Sequence, residues 1–334
     1  MLAVGSASVL VEVENRGTID DPDVRFTVRS GDSGAATLAG TRRALRRLLG
    51  LDVDPRPFLR LAMTDATLHP AALALRGLRP PRFVELFETF VNVVPFQQVS
   101  LEAGVAIVGR VIERFGQPHG YAGRRFHAFP TARAIARATR QSLRACGLSA
   151  RKAETLQRLS RAIESGELAE ERIARMTSSD ALRTLVELPG IGPWSAGLVL
   201  LRGFGRLDVF PPGDVGAERG LSALLQLEPG VALSRGVERF GKFRGYLYFF
   251  GLGGSLLRKG LIHAAPDDGV CGVSLADAEA RINGSGRPSR SRAAAAPHTR
   301  LRGGAPEVRP ARRGHRVAGC SRRRLERVSD PAPS

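Results

Sequence analysis

The decapeptide Glu187-Leu188-Pro189-Gly190-Ile191-Gly192-Pro193-Trp194-Ser195-Ala196 is followed, twenty residues after its tryptophan, by the carboxylate of Asp214. These residue types could do chemistry together. A Gly-x-Gly turn presents backbone N–H groups, and Pro193 stands where the first turn of a helix needs no donor. The turn and the N-terminus of the helix after it can hold an anion such as a phosphate. Trp194 offers an aromatic face. Asp214 can stabilise positive charge that develops in a water-poor site. It can equally cap the helix that it opens, because Asp after Gly213 is a favoured cap residue. Gly-x-Gly by itself serves many helical hairpins, so both readings stand at this point.

The elements that must position these groups are legible from apolar spacing. Ser178 to Glu187 carries Ala181, Leu182, Leu185 and Val186 at helix intervals. Pro189-Gly190 stops that helix, and Gly192-Pro193 opens a second through Trp194, Ala196, Leu198, Val199 and Leu201. Arg202 to Phe210 leads into Pro211-Pro212-Gly213-Asp214, and a further helix is expected over Val215 to Leu225. Upstream, helices are expected over Phe83 to Val93, Val99 to Phe115, Thr131 to Cys146, Arg151 to Ser165 and Glu167 to Met176. Gly116 to Pro130 reads as a loop, and Val231 to Leu252 closes the set. Connections are short and no second sheet is evident, so 51–263 reads as a mainly α bundle. Residues 1–50 read as a partial α+β domain: strands around Ser8 to Val13 and Val24 to Val28, then a helix over Ala35 to Leu49. Two strands and one helix bury little alone. Residues 264–334 hold fourteen arginines against seven acids and no sustained period. That composition cannot offset chain entropy and reads as a disordered basic tail.

The whole chain bounds the partner. Its 334 residues carry a net charge of +18, which favours a polyanion and nucleic acid first. Almost all of the positive charge is arginine; Lys152, Lys242 and Lys259 are the lysines. No apolar run approaches the roughly 20 residues of a membrane span, and no leader pattern opens the chain. A soluble, cytoplasmic, nucleoid-associated protein is the expectation. Cys146, Cys271 and Cys320 stand too far apart to suggest a disulfide framework or a zinc site, so no metal is expected.

Leu188 to Ala196 and Asp208-Val209-Phe210-Pro211-Pro212-Gly213-Asp214 together resemble the helix-hairpin-helix superfamily of DNA glycosylases. The resemblance is to its AlkA-type branch, 3-methyladenine DNA glycosylase II. It extends to Val94-Pro95-Phe96-Gln97-Gln98-Val99-Ser100 and Phe243-Arg244-Gly245-Tyr246, and covers roughly Val9 to Ile262. Residues 1–50 match only the end of the family's N-terminal sheet domain, which implies a truncated domain or one end of a longer fusion.

The resemblance implies a monomeric, monofunctional enzyme that excises alkylated bases from duplex DNA without an organic cofactor. Asp214 would be the catalytic carboxylate, stabilising an oxocarbenium-like sugar, and Asp208 would be structural. Trp194 stands where lyase relatives carry a nucleophilic lysine; no lysine is expected near it, and it could stack on an everted cationic base or pack the hairpin. Leu198, one turn on, occupies a position that is often aromatic in this branch. Tyr246 would border the base pocket, and Gln97 would contact bases or brace the cleft. Gly190, Gly192, Pro193 and Ser195 would meet the DNA backbone, with Arg244 and the loop residue His119 adding contacts. Carbonyls of the hairpin turn would suit a monovalent cation, as in relatives. Other members of the superfamily hold a four-cysteine iron–sulfur cluster, a pattern that this chain lacks. Two alternatives remain. One is a noncatalytic hairpin DNA-binding module of an Ada-like regulator fusion, which has no need for Asp214. The other is a glycosylase for oxidised or mismatched bases, which a catalytic lysine or a cysteine cluster would mark.

Overall fold

The computed structural model describes residues 1–5, 7–225 and 233–265, together with a strand at 325–329. Strands β1 (Leu2–Val4), β2 (Ala7–Asn15) and β3 (Asp23–Ser30) form an antiparallel sheet, against which α1 (Ala35–Leu48) packs. Val9, Val24, Phe26 and Val28 meet Leu38 and Leu45 in a small core of their own. The open edge of β3 is taken by Leu325–Ser329, the last strand in the chain, which pairs antiparallel with Val24 opposite Val328. An unpaired edge is a row of free donors and acceptors, which accounts for the pairing of these five residues within a segment expected to be unstructured. The rest of that segment, beyond Ala265, lies outside the described residues.

The body is helical, as expected. It runs α2 (Arg56–Thr64), α3 (His69–Ala74), α4 (Leu86–Val91), a 3₁₀ turn (Val94–Phe96), α5 (Leu101–Phe115), α6 (Ala132–Arg137), α7 (Arg140–Ala145), α8 (Ala150–Glu164) and α9 (Glu170–Ala174). Then come α10 (Ser178–Val186), α11 (Pro193–Leu198), α12 (Val215–Leu224), α13 (Leu233–Glu238) and α14 (Arg244–Arg258). The expected helix from Thr131 to Cys146 is broken in two. Thr139 is extended and its Oγ1 accepts from Ser142 N at 3.1 Å, so the hydroxyl caps a new helix instead of continuing the old one. The expected loop from Gly116 to Pro130 contains a hairpin, β4 (Pro118–Tyr121) and β5 (Arg124–His127). Ala122 (φ 49°) and Gly123 (φ 75°) form its two-residue turn, the left-handed pair that suits the strand twist. A second, two-stranded sheet is therefore present where none was expected. No helix among the described residues is long and apolar enough to cross a membrane.

Two large cores lie in the helical body, and α14 belongs to both. Tyr248 and Phe249 join Phe87, Phe90, Leu156 and Leu200 in one. Tyr246, Leu247 and Phe250 join Phe58, Leu68 and Leu221 in the other. The side chain of Arg47 ties helix α1 to this body. Arg47 donates to Phe83 O (3.2 Å), Glu170 Oε1 (3.0 Å) and Gly203 O (2.7 Å).

Helix α12 reaches α14 through glycine. A Cβ on Gly220 would collide with the carbonyl oxygen of Gly251 and lie 2.7 Å from Ser255 Oγ, and a Cβ on Gly251 would lie 2.8 Å from Ala217 O. The two backbones touch, so the spacing of the helices leaves no room for a methyl group. Gly220→Ala is expected to destabilise the protein by about 1–3 kcal/mol, read as a lowered denaturant midpoint at unchanged slope. A midpoint equal to the parent's would show that the helices part at no cost.

Candidate active site

The hairpin joins α10 to α11. Thr177 caps α10, its Oγ1 accepting from Asp180 N at 3.2 Å, and Ile191 N donates back to Leu188 O at 3.0 Å to close the turn. Gly190 sits at φ +87°, and a Cβ there would run into Thr155 on α8. Both its backbone conformation and its packing require glycine. Gly192 is different. It is extended, it precedes Pro193 at the head of α11, and a Cβ on it would meet nothing within 4 Å. No protein neighbour requires glycine at 192; that position faces open space. The helix beyond α11 widens into a π-turn, Val199–Gly203, a distortion frequent beside functional sites.

Gln97 holds the hairpin from outside. Its Nε2 donates to Gly190 O and to Ser195 Oγ, each at 2.9 Å. Ser195 is buried, so its side chain faces Gln97 and the interior. The segment that carries Gln97 is held in turn by Lys152, whose Nζ donates to Pro95 O (3.0 Å) and Gln97 O (2.6 Å). Burial pushes the Lys152 amine below its usual range. Lys152 and Trp194 line one cleft of about 950 Å³, together with Gln97, Gly192 and Asp214. Gln98, next in the chain, is exposed in the same cleft at φ 53°, a left-handed conformation that costs a non-glycine residue roughly 1–2 kcal/mol. Leu188 O and Gly190 O each already accept one N–H, which leaves each one lone pair for a monovalent cation. No cluster of acidic, His or Cys side chains among the described residues could hold a metal ion.

Asp214 is the group around which the cleft closes. It precedes α12, and its Oδ1 accepts from Ala217 N at 2.9 Å, so the capping role is real. Its Oδ2 accepts from Trp194 Nε1 at 2.9 Å and from Tyr248 Oη at 3.2 Å. The carboxylate thus receives donors from α11, α12 and α14 while lining the cleft. Tyr248 is buried, and burial followed by the Asp214 charge pushes its phenol well above the usual range. It stays protonated and can only donate to the carboxylate. The loop behind Asp214 is braced by Arg244, whose Nε donates to Asp208 O at 3.1 Å, and by Gly245 N, which donates to Leu207 O at 2.6 Å. Glu218 Oε1 accepts from Gly213 N at 3.1 Å and completes a reciprocal cap.

Several expected site residues stand elsewhere. Tyr246 is in the second core, stacked on Phe58 at 4.4 Å with its hydroxyl donating to Leu78 O at 3.3 Å. Two residues along a helix turn the side chain to another face, so Tyr248, not Tyr246, reaches the cleft's carboxylate. Leu198 is buried in the first core, with Ala196 and Val199 beside it. Arg244 works behind the loop, in a neighbouring cavity with Asp208, Glu218 and Leu182 of α10, and not at the hairpin turn. His119 lies on β4, opposite Phe126, in a paired strand and not a free loop. Tyr248 was concealed by its place in an aromatic run. The usable signal was its spacing of four from Arg244, which puts both on one face of α14. Lys152 gave no spacing signal at all.

Residues 91–238 match the HhH-GPD superfamily of base excision DNA repair proteins. A DNA-3-methyladenine glycosylase of Bacillus subtilis is 33% identical over 174 residues, 52% of this chain and 57% of that protein. DNA-3-methyladenine glycosylase 2 of Escherichia coli is 30% identical over 210 residues, 60% of this chain and 67% of that protein. The chain belongs to the HhH-GPD superfamily. Within the superfamily its relatives place it on the AlkA-type, 3-methyladenine DNA glycosylase II side. A solved 3-methyladenine DNA glycosylase from Archaeoglobus fulgidus has the same fold, with a TM-score of 0.58 and 27% identity over 76% of this chain and 90% of that one. The matched region spans little more than half the length of the Bacillus protein.

Gln97 gives this HhH-GPD hairpin a measurable dependence. Gln97→Ala would leave the buried Ser195 hydroxyl and Gly190 O without their partner. It is expected to cost about 1–3 kcal/mol, with amide exchange in 188–196 rising more than elsewhere. Uniform protection across the protein would sink the bracing role.

Proposed function

We propose that the cleft is the active site of a monofunctional DNA glycosylase that removes alkylated bases, of the 3-methyladenine and 7-methylguanine type, from duplex DNA. The observation that carries this reading is Asp214: a carboxylate open to a cleft, yet held at two oxygens by Ala217 N, Trp194 Nε1 and Tyr248 Oη. A group so restrained needs no reorganisation when positive charge develops beside it.

The hairpin turn takes a phosphate of the DNA backbone. Open space at Gly192, where no protein atom requires glycine, supports close approach of that backbone. The damaged nucleotide is everted into the cleft. Trp194 is held by its edge through Nε1, which leaves the ring face for a base, and an aromatic face attracts a cationic one. The C1′–N bond breaks with its electron pair going to the base, which departs neutral because alkylation had made it cationic. Asp214 stabilises the oxocarbenium-like sugar. Water adds its oxygen to C1′ and gives up a proton, leaving an abasic site. Tyr248 and the first turn of α12 keep the carboxylate aimed.

Asp214→Asn should retain the cap, since Asn caps helices as well as Asp. It should lower single-turnover release of 3-methyladenine by at least about a hundredfold with DNA affinity nearly unchanged. Excision at the parent rate would refute the mechanism.

The strand should stay intact. Trp194 occupies the position of the lyase nucleophile, and the Lys152 amine is engaged by two carbonyls. Incubation with damaged duplex is expected to give abasic sites that break only on heating or in alkali, and borohydride should trap no protein–DNA adduct. An adduct mapped to Lys152 would overturn the monofunctional reading while leaving base excision in place.

A further inference from the structure

Between Glu113 and Glu154 the chain has no acidic residue for forty positions, while it carries eight arginines and Lys152. All eight arginines are exposed. Three of them gather on one feature. A groove of about 940 Å³ between α7 and the start of α8 is lined by Arg140, Arg144 and Arg151, with Gln141 and Ser149 among them. Arg140 and Arg144 are one turn apart on α7, on the same face and about 6 Å apart along its axis. Glu154 is the single acid of the groove; it lies 3.9 Å from Arg140 and is bound more closely by Arg158, at 2.8 Å. Arg144 and Arg151 pair with no acid among the described residues.

The groove is continuous with the cleft that holds Asp214, because Ser149 and Arg151 line both. The arginines around α1 differ in this respect. Around α1, Arg46 and Arg82 pair with Asp52, and Arg47 with Glu170, so their charge is consumed internally. Between α7 and α8 the positive charge is left over, and it leads out of the cleft. A guanidinium fork matches two oxygens of a phosphate, and Gln141 and Ser149 add neutral hydrogen-bonding groups that suit a sugar–phosphate chain.

We propose that this groove is a second DNA contact: it takes the backbone of the duplex as it leaves the cleft, with Arg140, Arg144 and Arg151 each neutralising a phosphate. The proposal rests on the reading of the cleft as a DNA site and adds to it a direction and a footprint. DNA bound at the hairpin extends over the start of α8 toward α7.

The test is equilibrium binding across a range of NaCl concentrations. The probes are two duplexes with a tetrahydrofuran abasic analogue, one of about one helical turn and one of more than two turns. In the wild type the longer duplex should show the steeper salt dependence. In the double variant Arg140→Ser, Arg144→Ser the longer duplex should bind about tenfold or more weakly. Its salt slope should fall by about two, at roughly 0.9 for each phosphate no longer neutralised. The short duplex should keep its wild-type affinity and slope, as should the single-turnover excision rate at saturating enzyme. The double lysine variant should restore the longer duplex's slope. Equal slopes for the two duplexes on wild-type protein, which needs no variant, would overturn the proposal, as would an unchanged slope in the double serine variant or an equal loss on both duplexes. Failure of wild-type protein to bind either duplex would instead remove the cleft reading beneath it. Normal short-duplex binding with no length effect removes the groove alone.

Discussion

A carboxylate that is partly withdrawn from water must be given donors, and donors are directional. Asp214 collects one from the first turn of its own helix, one from the indole of Trp194 on α11 and one from the phenol of Tyr248 on α14. Satisfying that single group therefore sets three helices relative to one another. Much of the surrounding construction serves the same geometry. Glycines bring α12 against α14 at backbone contact, Arg244 and Gly245 stitch the loop ahead of Asp214 to the head of α14, and Glu218 closes the cap from the other side. A network of this kind stiffens a site when every member is satisfied.

The hairpin has a comparable support of its own. Lys152 holds the carbonyls of the Pro95–Gln97 segment, and Gln97 holds Gly190 and Ser195. A compact ammonium with three donors suits two converging carbonyls better than a planar guanidinium would. That is a physical reason for a lysine in a chain whose positive charge is almost all arginine.

The helical hairpin, the carboxylate after it and most of the bundle were readable because their signals are local: apolar spacing, Pro and Gly at helix ends, and an Asp before a helix. Boundaries moved where side chains compete with the backbone, as at Thr139. The hairpin from Pro118 to His127 was hidden because Pro-His-Gly-Tyr and Arg-Arg-Phe-His carry little apolar alternation; its turn, Ala122-Gly123, was the readable trace. The site was less legible than the fold. Tyr246 and Tyr248 differ by 200° around a helix of 3.6 residues per turn, and sequence alone does not say which face meets which core. Leu198 is on the Trp194 side of α11 by spacing, yet it is buried with Val199, Leu200 and Leu201 of the π-turn that follows. Contacts that join residues far apart in the chain, such as Lys152 to Gln97, leave no periodic mark.

Helix α14 gives Tyr248 and Phe249 to one core and Tyr246, Leu247 and Phe250 to the other. Opening either core therefore strips that helix of part of its neighbours. A change at Phe58 or Leu68 loosens the same helix that carries Tyr248, whose hydroxyl donates to Asp214. Packing in one core and the aim of the carboxylate beside the other are thus coupled through a single helix.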